Sequence, residues 1–206
     1  NNASNYTLNA GQDFDSFNSD GFTVDTPNQL NSFNKSGDNI VTWNWKANGA
    51  GAANTDGQLT TTVSANTTSG FSIATYSGDG SSTTFGHGLG VKPKVSIIKS
   101  RTNSSEHWFL WMDTTGNGTA DVRILLNSTN GNYGNNFITF GTDTITFPGQ
   151  DSGWNQSSNT FVSYNFAEKQ GYSKIGSYTG NGNADGTFVY TGFKPAFVIF
   201  KQTNTS

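Results

Sequence analysis

Residues 70–103 read GFSIATYSGDGSSTTFGHGLGVKPKVSIIKSRTN, and residues 171–204 read GYSKIGSYTGNGNADGTFVYTGFKPAFVIFKQTN. When the two stretches are aligned with a one-residue gap near the start, eight residues between Tyr76 and Lys99 are identical to the residues 102 positions later. In both stretches, short runs rich in Val, Ile, Thr and aromatic residues alternate with Gly, Asn, Asp and Ser clusters, which is typical of strands joined by turns. The pattern therefore predicts an all-β fold that contains a repeated unit.

A second match places residues 22–45 over a segment 121 positions later. At the end of this match, IVTWNW at residues 40–45 aligns with FVSYNF at residues 161–166. In each segment the rings alternate with small polar residues, so Trp43 and Trp45 share one face of a strand, as do Tyr164 and Phe166. We expect the two strands to occupy equivalent positions, with these rings facing a core.

Together the two matches define a unit of about 98 residues, which divides the chain into four parts. We predict the C-terminal part of a β-sandwich repeat at 1–46, a polar Gly/Thr/Asn-rich linker at 47–70, a complete β-sandwich repeat at 71–168 and the N-terminal part of a further repeat at 171–206. Within the linker, Gln58 to Ser64 is compatible with an additional strand. The predicted fold is all-β, with tandem β-sandwich (jelly-roll-like) repeats. A propeller is the weaker alternative, because its blades repeat at about 40–50 residues.

Residues 105–121 of the complete repeat have no counterpart in either partial repeat. A sandwich without them would leave unpaired strand edges and an open core. Two explanations follow from this gap. Either the 206 residues are a piece of a longer polypeptide, which we favour, or neighbouring subunits complete the partial repeats by strand addition.

The composition excludes several classes of protein. Charged residues make up 12% of the chain and the net charge is −3, with scattered Lys and Arg, so no basic patch for nucleic acid is predicted. No run of about 18 apolar residues is present, so we predict no membrane insertion. The chain has no Cys and two His, whereas aromatic residues reach 14%, which predicts an aromatic core. We therefore predict no catalytic, cofactor-binding or metal-binding residues and no cofactor.

Two segments contain residue types found in active or metal sites, and both have simpler interpretations. His87 lies in GHGLG, but the second copy has Val189 at the equivalent position, so we predict a turn histidine bonded to the backbone. The run DTTGNGTAD from Asp113 to Asp121 partly matches a calcium loop but has Ile124 where a bidentate Glu is needed. A hairpin turn explains its Gly-Asn-Gly more simply.

Trp108 and Trp111 are the candidates for an aromatic platform that stacks on a sugar ring. Core packing is the alternative, because a chain this polar needs its aromatic residues inside. Three positions separate the two residues, so an unbroken strand would direct them to opposite faces. At most one of them is therefore available to a ligand.

The strings GHGLGVKP at residues 86–93, NIVTWNWKANGAGAANTDG at residues 39–57 and GSYTGNGNADGTFVYTGFKP at residues 176–195 carry a family resemblance. They resemble a repeated domain of unknown function in large virion proteins of marine tailed phages, including phages of cyanobacteria. Such proteins are described as tail-fibre or structural proteins. The segment from His107 to Asp121 matches this pattern less well than its flanks.

The resemblance implies a virion component and supplies no catalytic motif. We therefore expect a non-enzymatic phage virion structural protein, a tail fibre or other exterior fibre, located in the virion. Its expected partners are further copies of itself, other virion proteins and host-surface glycan. The alternative is a carbohydrate-binding or adhesin module on an extracellular surface.

Overall fold

The computed structural model describes residues 15–24, 34, 36–132 and 138–204. These residues contain twelve β-strands and no helix, so none of them forms a helix able to cross a membrane. The chain divides into two compact units, Asn1–Trp45 and Lys46–Ser206. The strands are β1 Ser16–Phe17, β2 Phe22–Thr23, β3 Ala52–Asn54, β4 Thr61–Asn66, β5 Phe71–Ser77, β6 Thr83–Gly86, β7 Val95–Ser100, β8 Phe109–Met112, β9 Val122–Leu125, β10 Thr139–Phe140, β11 Thr144–Phe147 and β12 Thr160–Phe166. The predicted all-β class is confirmed.

Seven strands of the second unit form one antiparallel sheet, which we call the large sheet, in the order β3-β4-β5-β12-β7-β8-β9. The last strand in sequence, β12, lies in the middle, between β5 and β7. Ser163 of β12 pairs with Ala74 on one side and with Ile98 on the other. The centre of the large sheet therefore depends on contacts between residues far apart in sequence.

A second antiparallel sheet, which we call the small sheet, has the order β10-β11-β6. Its buried side chains form one cluster with those of the large sheet, so the second unit is sandwich-like. Tyr76 of the large sheet lies 4.8 Å from Phe85 of the small sheet and 5.4 Å from Phe161, measured between ring centroids. Trp111 and Trp154 are also fully buried in this cluster. The core is aromatic, as the composition indicates.

Residues 47–70 were predicted to form a linker, but they contain β3 and β4. Thr61 and Val63 alternate with exposed Thr62 and point into the core, and Val63 pairs with Ala74 of β5. Two β-branched residues at period two are enough for a strand once β5 offers an edge to pair with. The additional strand considered at Gln58 to Ser64 overlaps β4.

The alternation expected for FVSYNF is present in β12, but its faces are reversed. Phe161, Ser163 and Asn165 are fully buried and point to the core, whereas Tyr164 and Phe166 are half-buried on the opposite face. The expectation that these two rings face the core is therefore wrong. The polar residues lie inside because they bond to one another, as described below.

The first unit contains the hairpin β1–β2, in which Phe17 pairs with Phe22 across a four-residue connection. Residues 40–45, expected as a strand, have no assigned strand, and Trp43 is 65% exposed. The expectation that Trp43 and Trp45 face a core is therefore wrong for the described residues. No strand of the described part of the chain pairs with this segment, so its alternating pattern has no sheet to join.

Residues 174–204, which we call the tail, have no assigned strand. The tail contacts the rest of the second unit near residues 128–132, where Asn132 N donates to Thr203 O at 2.7 Å and Lys201 Nζ donates to Ser128 O. That 171–206 begins a further repeat stays a prediction.

Candidate ligand-binding face

His87 is a structural residue of the loop that follows β6. Its ring is fully buried, Nδ1 accepts a hydrogen bond from Leu89 N at 3.2 Å, and Nε2 lies 3.3 Å from Gly141 O. Since Nδ1 accepts, the proton is on Nε2, and the neutral ring satisfies both contacts. Burial lowers the pKa of His87, against smaller opposing effects from Gly141 O and nearby carboxylates. The predicted backbone-bonded turn histidine is confirmed.

The loop from Asp113 to Asp121 satisfies its own carboxylates. Asp113 Oδ1 accepts from Gly116 N at 2.5 Å and Oδ2 accepts from Gly118 N at 2.8 Å, while Lys94 Nζ lies 4.0 Å from Oδ2. Burial raises the pKa of Asp113, but these hydrogen bonds and Lys94 outweigh it and lower the pKa. Across the described part of the chain, no cluster of three or more His or acidic side chains is arranged for a metal ion.

Trp108 and Trp111 point to opposite faces of the large sheet, as their spacing predicts. Trp111 is fully buried and packs perpendicular to Trp154, with ring centroids 5.2 Å apart. The Nε1 atoms of these two buried indoles have no hydrogen-bond partner. Trp108 is half-buried on the other face, with its ring centroid 6.3 Å from that of Tyr164. Only Trp108 is therefore available to a ligand.

The face of the large sheet that carries Trp108 is the one directed away from the small sheet, and we call it the outer face. Its central row is apolar, because Tyr164 pairs with Ile73 and with Ile97, and Ile97 pairs with Leu110. All four residues are half-buried. Strand β7 has apolar side chains on both faces, because the sequence VSII at residues 95–98 does not alternate strictly between polar and apolar residues. That run is the sequence signal that could have revealed the outer face.

Polar groups border the Trp108–Tyr164 ring pair. Asn127 Oδ1 accepts from Trp108 N at 3.1 Å and lies 3.3 Å from Nδ1 of exposed His107. Burial raises the pKa of Tyr164, and the positive charge of Arg101 opposes this shift. This surface combines apolar and aromatic side chains with a few polar groups, which are the residue types that line ligand-binding sites.

Next to this border, Lys99 is buried on the outer face. Its Nζ donates to Glu106 O at 2.8 Å and to Asn103 O at 3.3 Å. Burial lowers the pKa of Lys99, and the negative charge of Glu106 opposes that shift. The side chain therefore holds the loop before Trp108 in place, and its charge is turned towards backbone carbonyls.

On the inner face, a polar cluster is fully buried and consists of Ser72, Ser96, Ser163 and Asn165. Asn165 Oδ1 lies 2.9 Å from Ser96 Oγ and 2.8 Å from Ser163 Oγ, and Asn165 Nδ2 donates to Ser72 Oγ at 3.3 Å. Because the members bond to one another, the cluster fixes β5, β12 and β7 in register. The sequence pattern does not predict this cluster, since Ser and Asn in a strand usually face water.

Comparisons with known proteins give one family. No curated protein and no solved structure matches the chain. A match to a family described as a domain of unknown function (DUF7483) extends over residues 1–206. The chain belongs to this domain family.

Proposed function

We propose that the chain is a non-enzymatic structural protein of a phage virion, part of a tail fibre or other exterior fibre, built from tandem β-sandwich (jelly-roll-like) repeats of about 98 residues. Its partners are other copies of the chain and other virion proteins. Repetition of one small β unit is the usual way to build an elongated particle component.

One observation carries the proposal, the agreement between two hairpins in different compact units. In β1–β2, Phe17 pairs with Phe22, and in β10–β11, Phe140 pairs with Ile145, each across a four-residue connection. In both turns the first residue donates its N–H to the carbonyl of the fourth, at 2.8 Å, as Asn18 to Gly21 and Gly141 to Thr144. The turn is the same in both hairpins, but the sequence match places Phe22 over Asp143, so the hairpins differ by a two-residue shift from that match. With this shift, the likeness supports duplication of one unit.

The side chains capable of chemistry support a structural role. His87 and Asp113 bond to the backbone of their own loops, and Lys99 bonds to backbone carbonyls. Incubation with polysaccharides should therefore yield no cleavage products. Cleavage by the wild-type protein that disappears in His87→Ala would contradict the non-enzymatic role.

Labelling of particles tests the location. Gold-labelled antibodies raised against the chain should decorate exterior fibres in electron micrographs of the phage that encodes it. Antibodies against the major capsid protein of the same phage provide the control, because they should label the head. Particles without label on any exterior appendage would contradict the proposal.

A second candidate, glycan binding, is favoured by the Trp108–Tyr164 ring pair on the outer face. Sugar rings stack their C–H faces on indole, and Asn127 and His107 offer polar contacts at the edge. A glycan array should show binding that Trp108→Ala reduces at least tenfold. Phe188→Ala, which removes an exposed ring outside both sheets, should leave binding unchanged. An array without any bound glycan would exclude this function.

A further inference from the structure

Two exposed segments of the chain have sequences typical of strands. The first is the IVTWNW segment, residues 40–45, in which Val41 is 82% exposed. The second is the tail, which contains FVIFKQ at residues 197–202, with Phe200 71% exposed. Apolar β-branched and aromatic residues at this density are normally found on covered sheets.

The large sheet contains the counterpart of each segment. The IVTWNW segment matches residues 161–166 of β12, and residues 197–202 match β7. Residues 172–179 match β5, with one inserted residue. In the large sheet, β12 lies between β5 and β7. The tail has counterparts of β5 and β7 but not of β12, which lies between them. The IVTWNW segment has the sequence that matches β12.

The side chains of the IVTWNW segment repeat the pairing within β12. Asn44 bonds to Thr42, and Asn165 bonds to Ser163, in each case two residues before it. The direction differs: Asn44 Nδ2 donates to Thr42 Oγ1 at 3.0 Å, whereas Asn165 Oδ1 accepts from Ser163 Oγ at 2.8 Å. Asn165 also donates to Ser72, whose counterpart in the tail match is Ser173. The exposed segment thus has the polar face that β12 uses to bond β5. On the β7 side the position of Ser96 is taken by Val198, so that hydrogen bond has no counterpart.

We propose that residues 40–45 of one copy of this chain pair, as a central strand, between residues 172–179 and 197–202 of a second copy. The inference rests on the duplication that supports the proposed function. We assign the partner as a second copy because residues 40–45 of this chain carry the sequence of β12, the strand that lies between β5 and β7 in the large sheet. A longer polypeptide that supplies the strand itself is the alternative, and it predicts no cross-link between copies. Each copy then donates one strand and receives one, so the contact is head-to-tail. Such contacts build an open filament unless the rotation between successive copies closes a ring.

The register follows from the pairing of β12 with β7. Tyr164 pairs with Ile97 and Asn165 pairs with Ser96. By the two sequence matches, Trp43 of one copy lies opposite Ile199 of the other, and Asn44 lies opposite Val198. Directly opposed residues in an antiparallel pair have Cβ atoms about 4.5–5.5 Å apart, which is near disulfide range.

Cysteine cross-linking tests this register, because the chain has no cysteine of its own. Asn44→Cys protein is mixed with Val198→Cys protein that carries a size tag, and Trp43→Cys protein is mixed with tagged Ile199→Cys protein. After mild oxidation, at least one of the two mixtures should give a covalent heterodimer on a denaturing gel. The mixture of Asn44→Cys with tagged Ile199→Cys is the matched control, since a one-residue slip directs the two thiols to opposite faces.

A heterodimer in a matched mixture and its lack in the control support the proposal. Equal yields in all mixtures, or no heterodimer in either matched mixture, overturn it. A double Asn44→Cys, Val198→Cys protein that oxidises only within one chain also overturns it, because the strand would then come from the same copy.

A charge substitution gives an independent measurement in solution. Val198 is 52% exposed and Val91 is 43% exposed, so Lys at either position leaves the fold of the single chain intact. In the proposed sheet Val198 takes the buried position of Ser96, where a charge is costly. Sedimentation should show concentration-dependent association that Val198→Lys weakens at least tenfold and Val91→Lys leaves unchanged. A wild-type protein that is monomeric at all concentrations, or equal effects of the two substitutions, would overturn the pairing while leaving the electron-microscopy test of the proposed function unaffected.

Discussion

Residues 95–100 and residues 197–202 share a sequence pattern but differ in structure. The first segment is strand β7, with neighbours β12 and β8 and a fully buried Ile98. The second, with Phe200 at the matching position, has no assigned strand and is largely exposed. Apolar, strand-forming residues therefore favour the extended conformation, but a strand forms only where a neighbouring strand pairs with them.

The comparison of β12 with the IVTWNW segment separates local from distant effects. The hydrogen bond between an Asn and the hydroxyl two residues before it is present in both. Asn165 is fully buried, whereas Asn44 is exposed. Local sequence thus determines which side chains share a face, and the surrounding sheet determines whether that face is buried.

The largest expected effect is the difference in stability between a substitution of Phe161 and the same substitution of its counterpart in the sequence match, Ile40. Phe161→Ala removes a fully buried ring that stacks on Tyr76, so the free energy of unfolding should fall by about 3–5 kcal/mol. Ile40→Ala, at an exposed position, should change it by less than about 0.5 kcal/mol. Urea denaturation followed by circular dichroism measures both. Similar losses for the two variants would show that the IVTWNW segment is packed in the single chain.

A smaller effect is expected at the polar cluster. Asn165→Ala leaves buried Ser96, Ser163 and Ser72 hydroxyls without their shared partner, which should cost about 1–3 kcal/mol in unfolding free energy. Asn44→Ala is the matched control and should cost less than about 0.5 kcal/mol at concentrations too low for association. Denaturant titration of the two variants at equal concentration measures the difference. A neutral Asn165→Ala would contradict the role of the cluster in stability.

The smallest effect concerns pH and involves the loop after β6 alone, since the tail has Val189 where this loop has His87. Burial lowers the pKa of His87, so below about pH 6.5 the unfolded chain takes up a proton that the folded chain does not. Stability should be complete above that pH and decrease as the pH falls towards the lowered pKa. His87→Gln should remove this decrease, and His107→Gln, at an exposed position, should retain it. Unfolding temperatures between pH 5 and 8 provide the measurement.

The sequence predicted the features that depend on local pattern. The all-β class, the turn role of His87 and the opposite directions of Trp108 and Trp111 all follow from spacing and residue type. The sequence did not predict which face of β12 is buried. Its inner face carries Ser163 and Asn165, and their burial is possible because Ser72 and Ser96, distant in sequence, complete the hydrogen bonds.

The sequence indicated strand β4 only as an additional strand at Gln58 to Ser64 within a predicted linker. Residues 47–70 are rich in small polar side chains. Within them, the alternation at Thr61 and Val63 is too short to distinguish a strand from a loop. The neighbouring edge of β5 supplies what the segment lacks. The outer face likewise becomes visible only when Tyr164, Ile97 and Leu110 are brought side by side by three different strands.

The chain has five tryptophans, and their different burial allows intrinsic fluorescence to report on the structure. Trp111 and Trp154 are buried with Nε1 atoms that have no hydrogen-bond partner, so their fluorescence should be blue-shifted and should move to the red when the core unfolds. Trp43 and Trp45 are exposed and should emit at longer wavelength while the core is intact. Unfolding and strand exchange therefore shift the emission in opposite directions, so one spectrum recorded against concentration distinguishes them without any added dye.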